Sequence, residues 1–238
     1  MTFDLTATGF SVANARYCAQ ASADAYTLTP TLTSPVDGTG VIITELADCI
    51  VIAFEGSKDP RQFITDAEAW KRNIDGCDLH AGFYRTMSSL AWNILGELRR
   101  MKRKPTIVTG HSLGGALAQL FAFWLSVDGF TVRAVYTFGG PRVGTAAGVK
   151  KYGILAAITY RVVNAADIVP WCPGLLAGYR HTRAMHWLPS IGGIIESPAW
   201  PEILLIDGLE LWREWRRGIL ALLKDHFIAS YIERLNAI

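Results

Sequence analysis

The chain has 238 residues, half of them hydrophobic and 18% charged, with a formal net charge of +2. That length fits one large domain with a full hydrophobic core, and the near-neutral balance gives no reason to expect nucleic acid or a strongly acidic partner. Cys18, Cys49, Cys77 and Cys172 are scattered without a CxxC pair, so they read as buried thiols, not as zinc ligands or a disulfide framework.

In chain order, "MTFDLTATGFSVANARYC" lacks the basic start and apolar core of a secretory signal. No run reaches the length of a membrane span, and the compartment stays unassigned. Phe10 to Ala25 reads as a helix, and the proline- and glycine-punctuated stretch from Pro30 to Gly40 as a loop. "GVIITE" and "CIVIAFEG", separated by "LAD", predict an antiparallel hairpin. "FYRTMSSLAWNILGELRRM" sets Phe83, Met87, Leu90, Ile94, Leu98 and Met101 on one helical face. The basic run Arg99 to Lys104 closes that helix, where cations suit the negative end of its dipole.

The stretch "VTGHSLGGALAQL" follows a β-branched run, Thr106 to Thr109, and opens an apolar helix from Leu113 to Val127 with small residues early. A Gly-x-Ser-x-Gly turn between strand and buried helix lifts a serine hydroxyl clear of a sheet. "VRAVYTF" (Val132 to Phe138) predicts a strand, Ala146 to Tyr152 a short helix, "AAITYRVVN" a strand, and "YRHTRAMHW" one more. Pro201 to Leu223 is amphipathic: Leu205, Leu209, Trp212, Ile219 and Leu222 share a stripe opposite Glu210, Arg213, Glu214 and Arg217, with breaking points at Gly208 and Gly218. Asp225 is placed to cap a last helix carrying Ile228, Ile232 and Leu235. Strands alternating with helices predict a mainly parallel central sheet with helices on both faces.

Sites in such sheets gather beyond the carboxyl ends of the strands, and Ser112, Asp167 and His226 fall at such ends or in later loops. A serine hydroxyl is a poor nucleophile until a base lies within hydrogen-bond reach and a third group fixes that base's tautomer. The order serine, acid, histidine is that of α/β-hydrolases. Five histidines compete for the base. His111 immediately precedes Ser112, His80 lies well before it, and His181 and His186 fall in a predicted strand. His226, at the start of the last helix, sits where a late-loop base belongs, and the positive helix end favours the neutral imidazole that accepts a proton.

"VIAFEGS", "DLHAGFY", "VTGHSLGGALAQL", "TFGGPRVG", "RVVNAADIVPW", "YRH" and "DHFIASYIERL" occur in that order between about Val51 and Leu235. In these seven stretches the chain resembles the class 3 lipases, the fungal-type triacylglycerol lipase family of α/β-hydrolases. The resemblance implies an α/β-hydrolase fold over residues 1–238 as a single domain. Ser112 matches the nucleophile, Asp167 the acid and His226 the base, while His80 and His181 match positions outside the triad. It also implies an oxyanion hole from the backbone N–H of Leu113 together with Ser57 of "FEGS". Family members commonly carry arginine where Glu55 stands and tryptophan where Phe63 stands; Glu55 either orients a loop or repels anionic substrates.

The family places its lid at 58–72, where Phe63 and Ile64 would meet lipid on opening. The insertion 188–223 reads as core and pocket wall, its tryptophans being the side chains suited to an interface. The implied activity is hydrolysis of carboxylic esters, acylglycerols first, by a lipase that needs no metal and no cofactor. A phospholipase, an aryl-ester (feruloyl-type) esterase or an acyltransferase is possible on the same scaffold. Outside enzymology the alternative is a catalytically silent hydrolase-fold binding protein. The expected partner is an ester or lipid substrate, at a lipid–water interface where a lid operates, with no nucleic acid and no transmembrane segment.

Overall fold

The structure is a computed structural model that describes residues 3–59, 71–74, 76–183, 185–217 and 223–238. Its centre is an eight-stranded sheet in the order β1-β2-β3-β6-β7-β9-β11-β12. These strands are β1 (Leu32–Thr33), β2 (Gly40–Glu45), β3 (Ile50–Phe54), β6 (Thr106–His111), β7 (Val132–Phe138), β9 (Thr159–Asn164), β11 (Met185–Leu188) and β12 (Ile195–Glu196). The inner strands β3, β6, β7, β9 and β11 run parallel, and β2 and β12 join antiparallel at the flanks. β3, β6 and β9 are buried along their whole length, as expected for parallel strands covered on both faces.

The cover comes from two helix pairs. On one face α2 (Ala81–Arg100) and α3 (Leu113–Val127) bury Met87, Leu90, Ile94, Leu117 and Phe121 against Ile52, Phe54 and Val108. On the other, α1 (Val12–Thr27) and α6 (Ile228–Asn236) bury Ala15, Cys18, Tyr231 and Leu235 against Val51, Ile107, Tyr136 and Val162. Ser11 caps α1, its hydroxyl accepting the Asn14 N–H. A second sheet, ordered β10-β8-β5-β4, joins β4 (Lys71–Ile74), β5 (Cys77–His80), β8 (Gly144–Thr145) and β10 (Tyr179–Arg180). α4 (Ala146–Tyr152) packs against it. All four cysteines are free thiols, three of them buried. No helix of the described residues is long and apolar enough to cross a membrane.

Four expectations change. The loop from Pro30 to Gly40 contains β1, which pairs with β2. The single strand expected over "YRHTRAMHW" is two strands in different sheets, β10 and β11. Between them Thr182 turns to donate to Gln119 Oε1, and the Arg183 carbonyl accepts from Arg161. Asp225 does not cap the last helix, whose N-cap is Phe227 with no side-chain bond. Asp225 is buried instead, accepting from the Ala166 N–H at 3.3 Å and facing Arg234 at 3.6 Å.

The fourth change is the largest. α5 (Trp200–Arg217) passes through Gly208 without a break. Its apolar stripe of Leu205, Leu209 and Trp212 is exposed, so this part of the insertion is neither core nor pocket wall. The cause is a polar anchor: Asp207 accepts both the N–H and the hydroxyl of Ser190, just after β11, so the Asp207 side must face the sheet. Ile203 is buried on that same side, with Val163 and Trp187. Gly218, Ile219 and Leu222 lie outside the described residues.

Candidate active site

The turn at Ser112 is built by close backbone approach. A Cβ on Gly110 would collide with the Gly114 carbonyl, and one on Gly114 with the Phe54 carbonyl, so the β6–α3 turn requires both glycines. Ser112 itself has a φ of 56°, a left-handed value that costs a non-glycine residue energy. The strain is held in place by the Ser112 N–H, which donates to the Phe138 carbonyl at 2.9 Å. Its hydroxyl stands beyond the carboxyl end of β6, directly before the first turn of α3.

Asp167 and His226 meet it there. His226 Nε2 lies 2.9 Å from Ser112 Oγ, and His226 Nδ1 lies 2.9 Å and 3.1 Å from the two Asp167 carboxylate oxygens. All three side chains are buried to within 1% of full burial. A carboxylate facing Nδ1 sets the tautomer, with the proton on Nδ1 and the Nε2 lone pair toward the serine. Asp167 Oδ1 also accepts from the Val169 N–H at 2.9 Å. Asp167 follows β9 in a turn that carries Ala165 at a φ of 36°.

Three supporting residues escaped sequence reasoning. Tyr231 donates its hydroxyl to Asp167 Oδ2 at 2.6 Å and accepts from the Asn164 N–H at 3.2 Å. Burial, and then the neighbouring Asp167, hold its phenol well above the ordinary range, so it stays a donor. Gly139, at a φ of 60°, is the second: an added Cβ would lie 2.7 Å from Asp167 Oδ2 and 3.0 Å from His226 Nδ1. Tyr26 is the third. Its hydroxyl donates to His111 Nδ1 at 2.8 Å, and His111 Nε2–H donates to the backbone carbonyl of His226. Burial pushes the His111 imidazole well below its usual range, which keeps it neutral and able to do both. The sequence signals existed: Tyr231 lies in "DHFIASY" and Gly139 in "TFGGPRVG", but neither residue type announces a bond to the acid.

The remaining histidines stand outside this line of hydrogen bonds. His80 accepts from the Phe83 N–H at the start of α2 and stacks on the Phe83 ring, and burial lowers it to about 4. His181 Nε2 faces the Pro170 carbonyl at 2.6 Å. His186 is buried in β11 with its ring stacked on Phe10 at 4.0 Å.

A cavity of about 500 Å³, lined by Ser57, Tyr26, His111, His226 and Phe227 among others, lies beside the triad. The Ser57 hydroxyl donates to the Asp59 carbonyl at 3.0 Å and accepts the Asp59 N–H at 3.3 Å, closing its own turn. Leu113 is the first residue of α3, where amides lack intrahelical acceptors. Glu55 is buried, accepts the Gly40 N–H at 2.8 Å and faces Lys58 at 3.4 Å. It therefore ties the Ser57 loop to β2. Phe63 and Ile64 lie outside the described residues, and the far end of the 58–72 segment, Lys71 and Arg72, belongs to β4. A second cavity of about 200 Å³ between α3 and the small sheet shares no residue with this site. Among the described residues no cluster of side chains is arranged to hold a metal ion.

The family model described as Lipase (class 3) matches residues 51–177, just over half of the chain. The chain belongs to the class 3 lipase family. It is 36% identical over 167 residues to the secreted mono- and diacylglycerol lipase 1 of Fusarium solani, covering 67% of this chain and 50% of that protein. It is 31% identical over 175 residues to the secreted mono- and diacylglycerol lipase A of Penicillium cyclopium, covering 71% and 56%. The chain thus spans about half the length of the curated relatives it matches. Among solved structures, the lipase from Rhizopus microsporus var. chinensis superposes with a TM-score of 0.65 at 25% identity, covering 79% of this chain and 83% of that one. The architecture of this lipase-family chain is the α/β-hydrolase fold.

Proposed function

We propose that this chain hydrolyses carboxylic esters, acylglycerols before others, through an acyl-enzyme on Ser112, and that residues 1–238 act as one domain. The observation that carries the reading is the unbroken hydrogen-bonded line from Asp167 through His226 to Ser112, held at a strained turn beside a cavity. Ser112 Oγ attacks the ester carbonyl carbon while its proton passes to His226 Nε2. Asp167 stabilises the imidazolium that forms. The negative charge on the carbonyl oxygen is met by the Leu113 N–H and by the backbone N–H of Ser57, whose hydroxyl keeps the turn in shape. Collapse of the tetrahedral intermediate expels the alcohol, which takes the proton from His226. Water then gives a proton to His226 as its oxygen adds to the acyl carbonyl, and collapse of this second intermediate releases the acid while His226 returns the proton to Ser112 Oγ. No step calls for a metal or a cofactor.

The test is a panel of p-nitrophenyl esters of increasing chain length beside an emulsified triglyceride and a diglyceride, with a phosphonate ester as covalent probe. The expected result is turnover of the acylglycerols and phosphonate labelling on Ser112. Turnover confined to phospholipids or aryl esters would move the substrate class and keep the chemistry. Absence of both turnover and labelling would leave a hydrolase-fold binding protein.

A further inference from the structure

Helix α5 is amphipathic in the wrong sense for a helix packed on a core. Toward the sheet it sends Asp207 and Glu214, exposed by only 2% and 8%, together with Ile203. Outward it sends Leu205, Leu209, Trp212 and Trp215, exposed by 86%, 58%, 51% and 67%. The 205–209–212 spacing makes this one stripe, not scattered side chains. Contiguous exposed apolar surface of this kind marks an interaction site.

Its charges narrow the partner. The two acids at the centre of the inward face are withdrawn, whereas Arg213 and Arg216 lie on the exposed side, with the Arg216 guanidinium 5.0 Å from the centre of the Trp212 ring. Arg217 is spent on Glu214 at 3.0 Å. Leucine and tryptophan in the middle with arginine at the margin fit the boundary between acyl chains and anionic headgroups, where the indole stays amphipathic and the guanidinium meets phosphate. The position is also right. Trp200, the first residue of α5, packs on Trp171 with ring centres 4.6 Å apart, and Trp171 lies four residues beyond Asp167. Asp207 fastens the helix to Ser190 at the carboxyl end of β11. α5 is therefore anchored at the sheet end where Ser112 stands, the end at which half-exposed Phe227 lines the cavity.

We infer that α5 is a docking element that lays its Leu205–Leu209–Trp212 stripe into an anionic lipid surface. This docking rests on α5 and is independent of ester turnover, so it is measured on the Ser112→Ala protein. Flotation with phosphatidylcholine vesicles, and with mixed phosphatidylcholine–phosphatidylglycerol vesicles, should show tighter binding to the mixed ones, weakened by salt. Replacing Leu205, Leu209 and Trp212 together by glutamine should lower the partition at least about tenfold. Replacing Arg213 and Arg216 by glutamine should lower it about fivefold for each arginine, on the anionic vesicles alone. Melting curves that stay unchanged establish that both variants fold. An apolar variant that floats as well as its parent, or a parent that binds neither vesicle, overturns the inference. So does a dimer in sedimentation velocity that the glutamine substitutions dissolve, which would give the stripe to a second copy of the chain.

Discussion

The Ser112 corner and helix α5 both bury acidic side chains, and the comparison lies in what surrounds them. At the corner Asp167 receives His226, Tyr231 and the Val169 N–H, so the buried charge is matched on every side and the apolar groups lie beneath it. Along α5 Asp207 is matched by Ser190 and Glu214 by Arg217, but the apolar groups lie on the outer side. A buried carboxylate must be hydrogen-bonded wherever it is. An apolar side chain has no such local rule, and its direction follows from which side of the helix has been fastened.

The contrast is broken most severely at the corner. Ser112→Ala, Asp167→Ala and His226→Ala should each lower ester turnover by roughly 10⁴-fold or more with little change in melting temperature, because the three act as a unit. His186→Ala, which removes only a ring stacked on Phe10, should keep most activity; a dead His186→Ala beside an active His226→Ala would reverse the assignment.

A subtler break displaces the acid without removing it. Gly139→Ala places a methyl group against Asp167 and His226 at a φ of 60°. Turnover should fall about a hundredfold for a displacement near 1 Å, and stability by about 1–3 kcal/mol. Tyr231→Phe should fall between this variant and the wild type, since it leaves Asp167 one donor short. Steady-state kinetics and thermal melts on the two variants decide whether Asp167 is held as tightly as its contacts suggest.

On α5 the sequence stripe and the structure call for opposite results. If the stripe were core, Leu205→Gln would destabilise the protein and Asp207→Ala would be harmless. From the bonds to Ser190, Asp207→Ala should cost about 1–3 kcal/mol, while Leu205→Gln stays within about 0.5 kcal/mol. Denaturant titration of both variants reads the order directly.

The smallest effect concerns acid. His80 is held at about 4 by burial against an ordinary value of 6.5, so the folded protein keeps it neutral while the unfolded chain takes up a proton. Its contribution is whole above pH 6.5 and is lost as pH falls toward 4. His111 and His181, also lowered by burial, act with the same sign. His80→Gln should therefore flatten the fall of melting temperature between pH 6.5 and 4, and a slope equal to the wild type's would place the acid sensitivity elsewhere.

Most of the corner was legible before any coordinates. The glycines flanking Ser112, the β-branched strand before it and the small-residue helix after it are local features, and local sterics decide them. The order of Ser112, Asp167 and His226 was readable because βα topology puts successive loops at one end of a sheet. Tyr231 and Gly139 were not legible as parts of the site, since each acts through a contact with residues far away in the chain.

By itself, then, the sequence determined where the long helices and most of the inner strands form, which turn strains the serine, and that a parallel sheet carries them, because sterics and hydrophobic periodicity act over a few residues. Only the tertiary structure decided which way α5 faces, that "YRHTRAMHW" divides between two sheets, and that Asp225 turns inward instead of capping a helix. Each of those outcomes depends on hydrogen bonds to distant residues: Asp207 to Ser190, Thr182 to Gln119, and Asp225 to the Ala166 amide. A helix rotates freely about its axis until such a bond fastens it, and the spacing of its leucines is the same in every orientation.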